Sequence, residues 1–208
     1  VFAITADQVG SRAAADLADA QLARIEQIAA GRLVLPPDRT AGDEIQAATE
    51  DARAALDLVL DLTRDGNWSV GLGVGDVRLP LPDATRAATG SAFILARDAV
   101  ARAKKNATRF AVSVGTGRLP DAALLQPLID LLLHLRARRT PEGWEVADRL
   151  VAGMTQARLA AELGVTPQAI SLRVQNAQLH TETAAIAALT ELLAAAGEPP
   201  VDHKGETS

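Results

Sequence analysis

The stretch Thr155-Gln156-Ala157-Arg158-Leu159-Ala160-Ala161-Glu162-Leu163-Gly164-Val165-Thr166-Pro167-Gln168-Ala169-Ile170-Ser171-Leu172-Arg173-Val174-Gln175 reads as two short helices joined by a turn. Thr155 and Thr166 are good N-caps, because a threonine hydroxyl accepts one of the amides that a helix start leaves unpaired. Gly164 supplies the left-handed turn residue, and Pro167 sits in a first turn, where its missing N–H costs nothing. Ala160 is small where the helices cross, and Val165 plugs the joint. At about 100° per residue, Ile170, Val174 and Ala177 share an inward stripe, while Gln168, Leu172 and Gln175 point the other way with Ser171 beside them.

A steep two-helix crossing with a polar outward face fits the major groove of duplex DNA better than an αα-hairpin packed into a core. Thr166, Pro167, Gln168, Ser171, Leu172 and Gln175 are then the groove surface: glutamines pair with adenine edges and a leucine meets a thymine methyl. Arg158 and Arg173 lie off that face and suit phosphates, with Thr155 and Gln156 at the start of the first helix. A supporting helix is expected at 144–152. One at 182–196 carries Ile186, Leu189, Leu192 and Leu193, which fit a core or a dimer seam equally well. The segment 154–175 resembles the helix-turn-helix of sigma-factor region-four and LuxR-type regulators.

Working outward, the 208-residue chain has room for one large domain or two small ones. Five residues are Phe or Trp and none is Tyr, so the cores are built from Ala, Leu, Val and Ile. Cysteine is absent, which excludes disulfides, thiolate zinc sites and a cysteine nucleophile; His134, His180 and His203 form no metal-ligand spacing. No apolar run has the length of a membrane span and none reads as a secretory signal, so no membrane contact and a cytoplasmic location are expected. Residues 1–140 carry 17 basic and 17 acidic side chains, whereas 141–208 carry 4 and 9. Non-specific DNA affinity comes from cations facing phosphates, so a DNA role must rest on few contacts, doubled in a homodimer.

The first part of the chain alternates strands and helices. A strand at Phe2 ends at Asp7, helix 12–30 follows, and strand 33–40 turns at Ala41-Gly42-Asp43 into a hairpin partner at 44–48. Helix 50–64 precedes strand 68–77, in which Trp68, Val70, Leu72 and Val74 line one face while Gly71, Gly73 and Gly75 line the other. A strand face without side chains permits close approach by a helix or a ligand. A helix at 91–105, a strand at 110–114 and an apolar helix at 121–138, interrupted by Pro127, complete the part. No internal repeat is evident. The predicted class is α+β: a ferredoxin-like βαββαβ domain over 1–139, then an all-α helix-turn-helix domain over 140–197 and a disordered tail over 198–208. The Arg136–Arg139 cluster and Pro141 mark the boundary.

Two motifs give this domain a chemical expectation. Ile4-Thr5-Ala6-Asp7-Gln8-Val9-Gly10-Ser11 resembles the first strand of class III nucleotidyl cyclases, and Arg39-Thr40-Ala41-Gly42-Asp43-Glu44 resembles their metal-binding hairpin. The strand 68–75 is similar to their Gly-rich strand. The pairing with a C-terminal helix-turn-helix is similar to the SatD-like family of bacterial DNA-binding proteins. The resemblance implies that Asp7 and Asp43 lie side by side. Neighbouring carboxylates repel unless a cation sits between them, and Mg²⁺ held there carries a triphosphate. It further implies phosphate binding by Gly10, Ser11 and Arg12 at the opening of a helix, with Arg39 as basic partner, for a purine nucleotide or cyclic nucleotide effector. The plainer alternative is that Asp7 caps a turn and Asp43 shapes a hairpin.

Catalysis is not expected. The cyclase positions for a transition-state Asn and Arg hold Ile94 and Asp98, Arg97 is one residue off, and the base-selecting Asp falls on Ala87. Losing positioned charge costs orders of magnitude in rate. The sequence therefore predicts a DNA-binding transcription regulator with a cyclase-like sensor or dimerisation domain. The competing readings are an active Mg-dependent nucleotidyl cyclase or nucleotidyltransferase, and a scaffold domain that takes no ligand.

Overall fold

Alternating apolar residues build the strands of a five-stranded mixed sheet: β1 (Phe2–Gln8), β2 (Leu33–Arg39), β3 (Glu44–Thr49), β4 (Trp68–Val74) and β5 (Phe110–Val114). Eight α-helices join them among the described residues, which are 1–11, 15–40 and 42–200 of this computed structural model. They are α1 (Ala18–Ala29), α2 (Ala52–Leu62), α3 (Ser91–Ala103), α4 (Ala122–Ala137), α5 (Pro141–Val151), α6 (Gln156–Leu163), α7 (Pro167–Asn176) and α8 (Leu179–Gly197). The chain is α+β. It divides into two compact units, one of Val1–Asp130 with the stretch from Leu189 onward, the other of Leu131–Ala188.

In the first unit the strand order is β2-β3-β1-β4-β5. β1 runs antiparallel to both β3 and β4, β2 antiparallel to β3, and β5 parallel to β4. The pairing register sorts the two faces. Ala3, Thr5 and Asp7 of β1 share a face with Ala48, Gln46 and Glu44 of β3 and with Gly73, Gly71 and Ser69 of β4. α3 covers this face. A Cβ on Gly73 would stand 2.1 Å from the Ala92 carbonyl oxygen, and one on Gly71 would stand 2.3 Å from that of Ala96. The bare strand face is therefore the seat of a helix, whose Ala92, Ala96 and Phe93 pack with Ala3 and Ala48. α1 and α2 cover the opposite face, tied to each other where Arg24 and Gln21 donate to Asp61. Both sheet edges are blunted. β2 carries Pro36 and Pro37, and at β5 the Gln126 side chain accepts from the Val112 amide while Arg102 donates to the Val112 carbonyl.

Several elements depart from the sequence reading. The first helix opens at Ala18 rather than at residue 12. The Gln8 side chain donates to the Ala15 carbonyl and accepts from the Leu17 amide, holding residues 15–17 out of the helix, and Asp16 accepts from the Ala18 amide. Gly10 and Ser11 consequently precede the helix instead of forming its first turn, and Arg12 and Ala41 lie outside the described residues. β4 ends at Val74, three residues short of the expectation, because Gly75 turns off the sheet. Pro127 does not interrupt α4: it stands exposed on the outer side, and the helix runs through it. Residues 201–208, the end of the expected tail, also lie outside the described residues.

A repeat is present after all. Val74-Gly75-Asp76-Val77-Arg78-Leu79-Pro80 and Val114-Gly115-Thr116-Gly117-Arg118-Leu119-Pro120 share Val-Gly-x-x-Arg-Leu-Pro at an offset of forty residues. The parallel pairing has that same offset, from Val70 opposite Phe110 to Val74 opposite Val114. Both Leu-Pro bonds are cis. The copies escaped the sequence reading because upstream of them Gly71 and Gly73 align with Ala111 and Ser113, so only the loop is alike.

In the second unit, α5, α6 and α7 close a core of Val146, Leu159, Ala160, Ile170 and Val174, edged by Leu150, Met154, Leu163, Val165 and Leu179. The arginines expected at a boundary are structural within this unit. Arg136 and Arg139 flank Trp144, with their guanidinium carbons 4.8 and 4.4 Å from the ring centre, and both donate to Glu182. Arg139 is buried and also donates to the Ala177 carbonyl at 3.0 Å.

Candidate functional site

The α6–α7 pair is assembled by its caps. The Thr155 hydroxyl accepts from the Arg158 amide at 3.2 Å, and the Thr166 hydroxyl accepts from the Ala169 amide at the same distance. Between them Gly164 adopts φ +62° and its N–H closes the last turn on Ala160 and Ala161, while the Val165 amide donates to Ala160 at 3.0 Å. An L side chain at Gly164 would be strained in that conformation. α5 starts in the same manner, Thr140 accepting from Gly143 with Pro141 in the first turn. Ile170, Val174 and Ala177 face inward and are buried.

Thr155, Arg158, Thr166, Pro167, Gln168, Ser171, Leu172 and Gln175 are exposed, and Gln156 and Arg173 half-buried. Leu172, at 56% exposure, is a large apolar side chain amid polar neighbours. The cations have partners. Arg158 and Arg149 both bind Glu162, at 3.1 and 3.0 Å, and Arg173 stands 4.0 Å from Glu145. Two guanidiniums on one carboxylate leave a surplus positive charge at the α6 edge. The unit as a whole carries six arginines against five carboxylates.

The second candidate lies at one end of the sheet in the first unit. The Gln8 amide donates to the Asp43 carbonyl at 3.2 Å, so β1 and the hairpin do bring Asp7 and Asp43 to the same end. Their carboxylates are engaged by the protein itself. Lys104 Nζ stands 2.7 Å from Asp7 Oδ2. The Ser11 hydroxyl bonds to Asp43 and holds its carboxyl below the usual carboxylate range, with Lys104 and Arg39 adding smaller attractions. Arg39 spends its guanidinium within the region, on the Gly42 carbonyl at 2.6 Å and Asp16 at 2.8 Å. Glu44, opposite Asp7 in the register, accepts from Thr40 and Gln46. Among the described residues, the buried Thr5 hydroxyl and the Gln46 side-chain oxygen beneath α3 have no hydrogen-bond partner.

Lys104 is the residue that the sequence reading missed, and a signal for it existed. Two strand residues advance about 6.6 Å and four helical residues about 6 Å. A helix seated on alternate residues of β4 therefore meets Gly73 with Ala92 and Ala96 and Gly71 with Ala96 and Val100. One step further brings residue 104 over Ser69, the register partner of Asp7. On the same helix Ile94, Arg97 and Asp98 are exposed, facing away from the sheet. Among the described residues no group of three or more His, Cys, Asp or Glu side chains is arranged to hold a metal ion. Nor is any described helix long and apolar enough to cross a membrane.

Comparison with protein-family models, curated proteins and solved structures finds no match to this chain.

Proposed function

We propose that the second unit is a helix-turn-helix that reads duplex DNA, with α7 in the major groove, and that the chain is a transcription regulator. The observation that carries this reading is the division of α7. Its inner side completes the core of three helices, while Gln168, Ser171, Leu172 and Gln175 stand exposed together. These residue types match base edges: amides for adenine, an aliphatic group for thymine. The few cations favour recognition carried by these contacts over general attraction to phosphate, so affinity should fall gently with salt.

Fluorescence anisotropy against a randomised duplex pool, followed by titration of the selected site, tests it. A preferred site should emerge, and Gln168→Ala should weaken it by about 1–3 kcal/mol, roughly tenfold or more, with little change on unrelated duplex. Equal and weak binding to every sequence would sink the reading.

For the first unit we propose a ferredoxin-like, cyclase-like domain that serves binding or assembly without turnover. Lys104 supports this: an ammonium already neutralises Asp7 where the cyclase resemblance implies Mg²⁺, so the residues present do not fit a divalent ion as they stand. Incubation with purine nucleoside triphosphates and Mg²⁺ or Mn²⁺ is the check. Product formation lost in Asp43→Ala would restore the cyclase reading. A nucleotide effector, cyclic or not, would declare itself as a rise in melting temperature, since a ligand at a hundred times its dissociation constant adds about 2.7 kcal/mol.

A further inference from the structure

α4 wears an apolar stripe on its solvent side. Leu124, Leu128 and Leu131 are 50%, 38% and 70% exposed, and Leu135 is half-buried, while Leu125, Ile129, Leu132 and Leu133 turn inward. The outward leucines recur at spacings of four, three and four, the alternation that lines one seam of a two-helix coil. Extending the rhythm one step each way reaches Asp121 before the helix and Arg138 after it, both exposed. The seam therefore reads Asp, Leu, Leu, Leu, Leu, Arg.

This order is complementary to itself in reverse. Laid antiparallel on a second copy about a two-fold axis between Ile129 and Asp130, Leu128 meets Leu131, Leu124 meets Leu135, and Asp121 meets Arg138. A two-fold contact requires that residue i meet j while j meets i, and every seam position meets that condition. A parallel pairing would set Asp121 on Asp121 and Arg138 on Arg138, like charge on like. Large aliphatic residues exposed in a row on one helix ordinarily mark a contact surface.

We propose that the outer face of α4 is the interface of a homodimer, formed by a second copy packed antiparallel along the same stripe. The proposal stands apart from the DNA reading, because it draws on no residue of α6 or α7 and is tested without DNA. Sedimentation of the full chain at micromolar concentration should show a dimer. Leu128→Glu with Leu131→Glu should raise its dissociation constant about a hundredfold or more, by placing four carboxylates at the centre of the seam. Both positions are exposed within one copy, and an unchanged melting curve in dilute solution shows that the fold has survived.

The chain lacks cysteine, so one introduced thiol reports geometry cleanly. Mild oxidation of an equal mixture of Leu128→Cys and Leu131→Cys chains should give the mixed covalent dimer in preference to either self-pair. A monomer at all concentrations, a dimer indifferent to the two glutamates, or preferential self-pairing of Leu128→Cys would each overturn the proposal.

Discussion

β4 and β5 lie side by side, run in the same direction and end in the same Val-Gly-x-x-Arg-Leu-Pro pattern, yet the two copies are used differently. Arg118 is buried: it donates to the Gly197 carbonyl at 2.9 Å and to that of Glu198, and it pairs with Asp76 of the other copy. It closes the end of α8, where the helix dipole and unpaired carbonyls favour a cation. Arg78 is exposed, and its backbone amide donates to the Thr89 carbonyl. Upstream, β4 meets α3 through Gly71 and Gly73, whereas β5 meets it through Ala111 and Ser113, the latter held by Arg102. A repeated motif thus carries a backbone shape. What each arginine does depends on the element that the chain later brings beside it.

Exchanging residues between the copies sharpens the contrast. Gly73→Ser, which gives β4 the residue of β5, should have the largest effect, since its Cβ would sit 2.1 Å from the Ala92 carbonyl oxygen, a helix backbone atom rather than the end of a flexible side chain. A loss of about 4 kcal/mol or more is expected, seen as a melting temperature lower by roughly 10 °C. A wild-type melt would mean that α3 does not lie on β4. Next, Arg118→Met keeps the aliphatic stem and removes the charged donors, and should cost about 2–3 kcal/mol in urea unfolding. Ala111→Gly, the reverse exchange, should cost about 1 kcal/mol, from backbone entropy and a lost methyl contact with α3. Arg78→Met should fall within about 0.5 kcal/mol of wild type. Equal losses for Arg78→Met and Arg118→Met would abolish the distinction between the copies.

What the sequence made legible follows from range. α6, the Gly164 turn, the Thr166 cap and the inward stripe of α7 depend on residues within one or two turns of each other, and their reading stands residue for residue. Strand positions and the hairpin at 42–43 were likewise local, through alternation and turn residues. The start of α1 was not, because it is set by the Gln8 side chain bonding to Ala15 and Leu17. Lys104 was not, because it lies 97 residues from Asp7 and meets it only through the seating of a helix on a strand. Asp7 and Asp43 stand at one end of the sheet, and the protein groups that engage their carboxylates, Lys104 and Ser11, belong to the tertiary structure.

Arg118 and Phe2 also bear on the order in which the molecule can be made. The chain leaves the first unit within α4 and re-enters it within α8, where Arg118 takes the carbonyls of the last turn and Gly197 lies so near the Phe2 ring that a Cβ there would approach to 2.9 Å. Synthesis from the N-terminus therefore delivers all five strands long before the residues that finish their packing. The α5–α7 core, drawn from a short run of chain, can close earlier than the sheet that precedes it. A nascent chain arrested just after Ala188 would hold the whole second unit while the sheet still lacks the last turns of α8. In such a chain Arg118 would have no carbonyls to meet, and Phe2 would lack the last turn of α8.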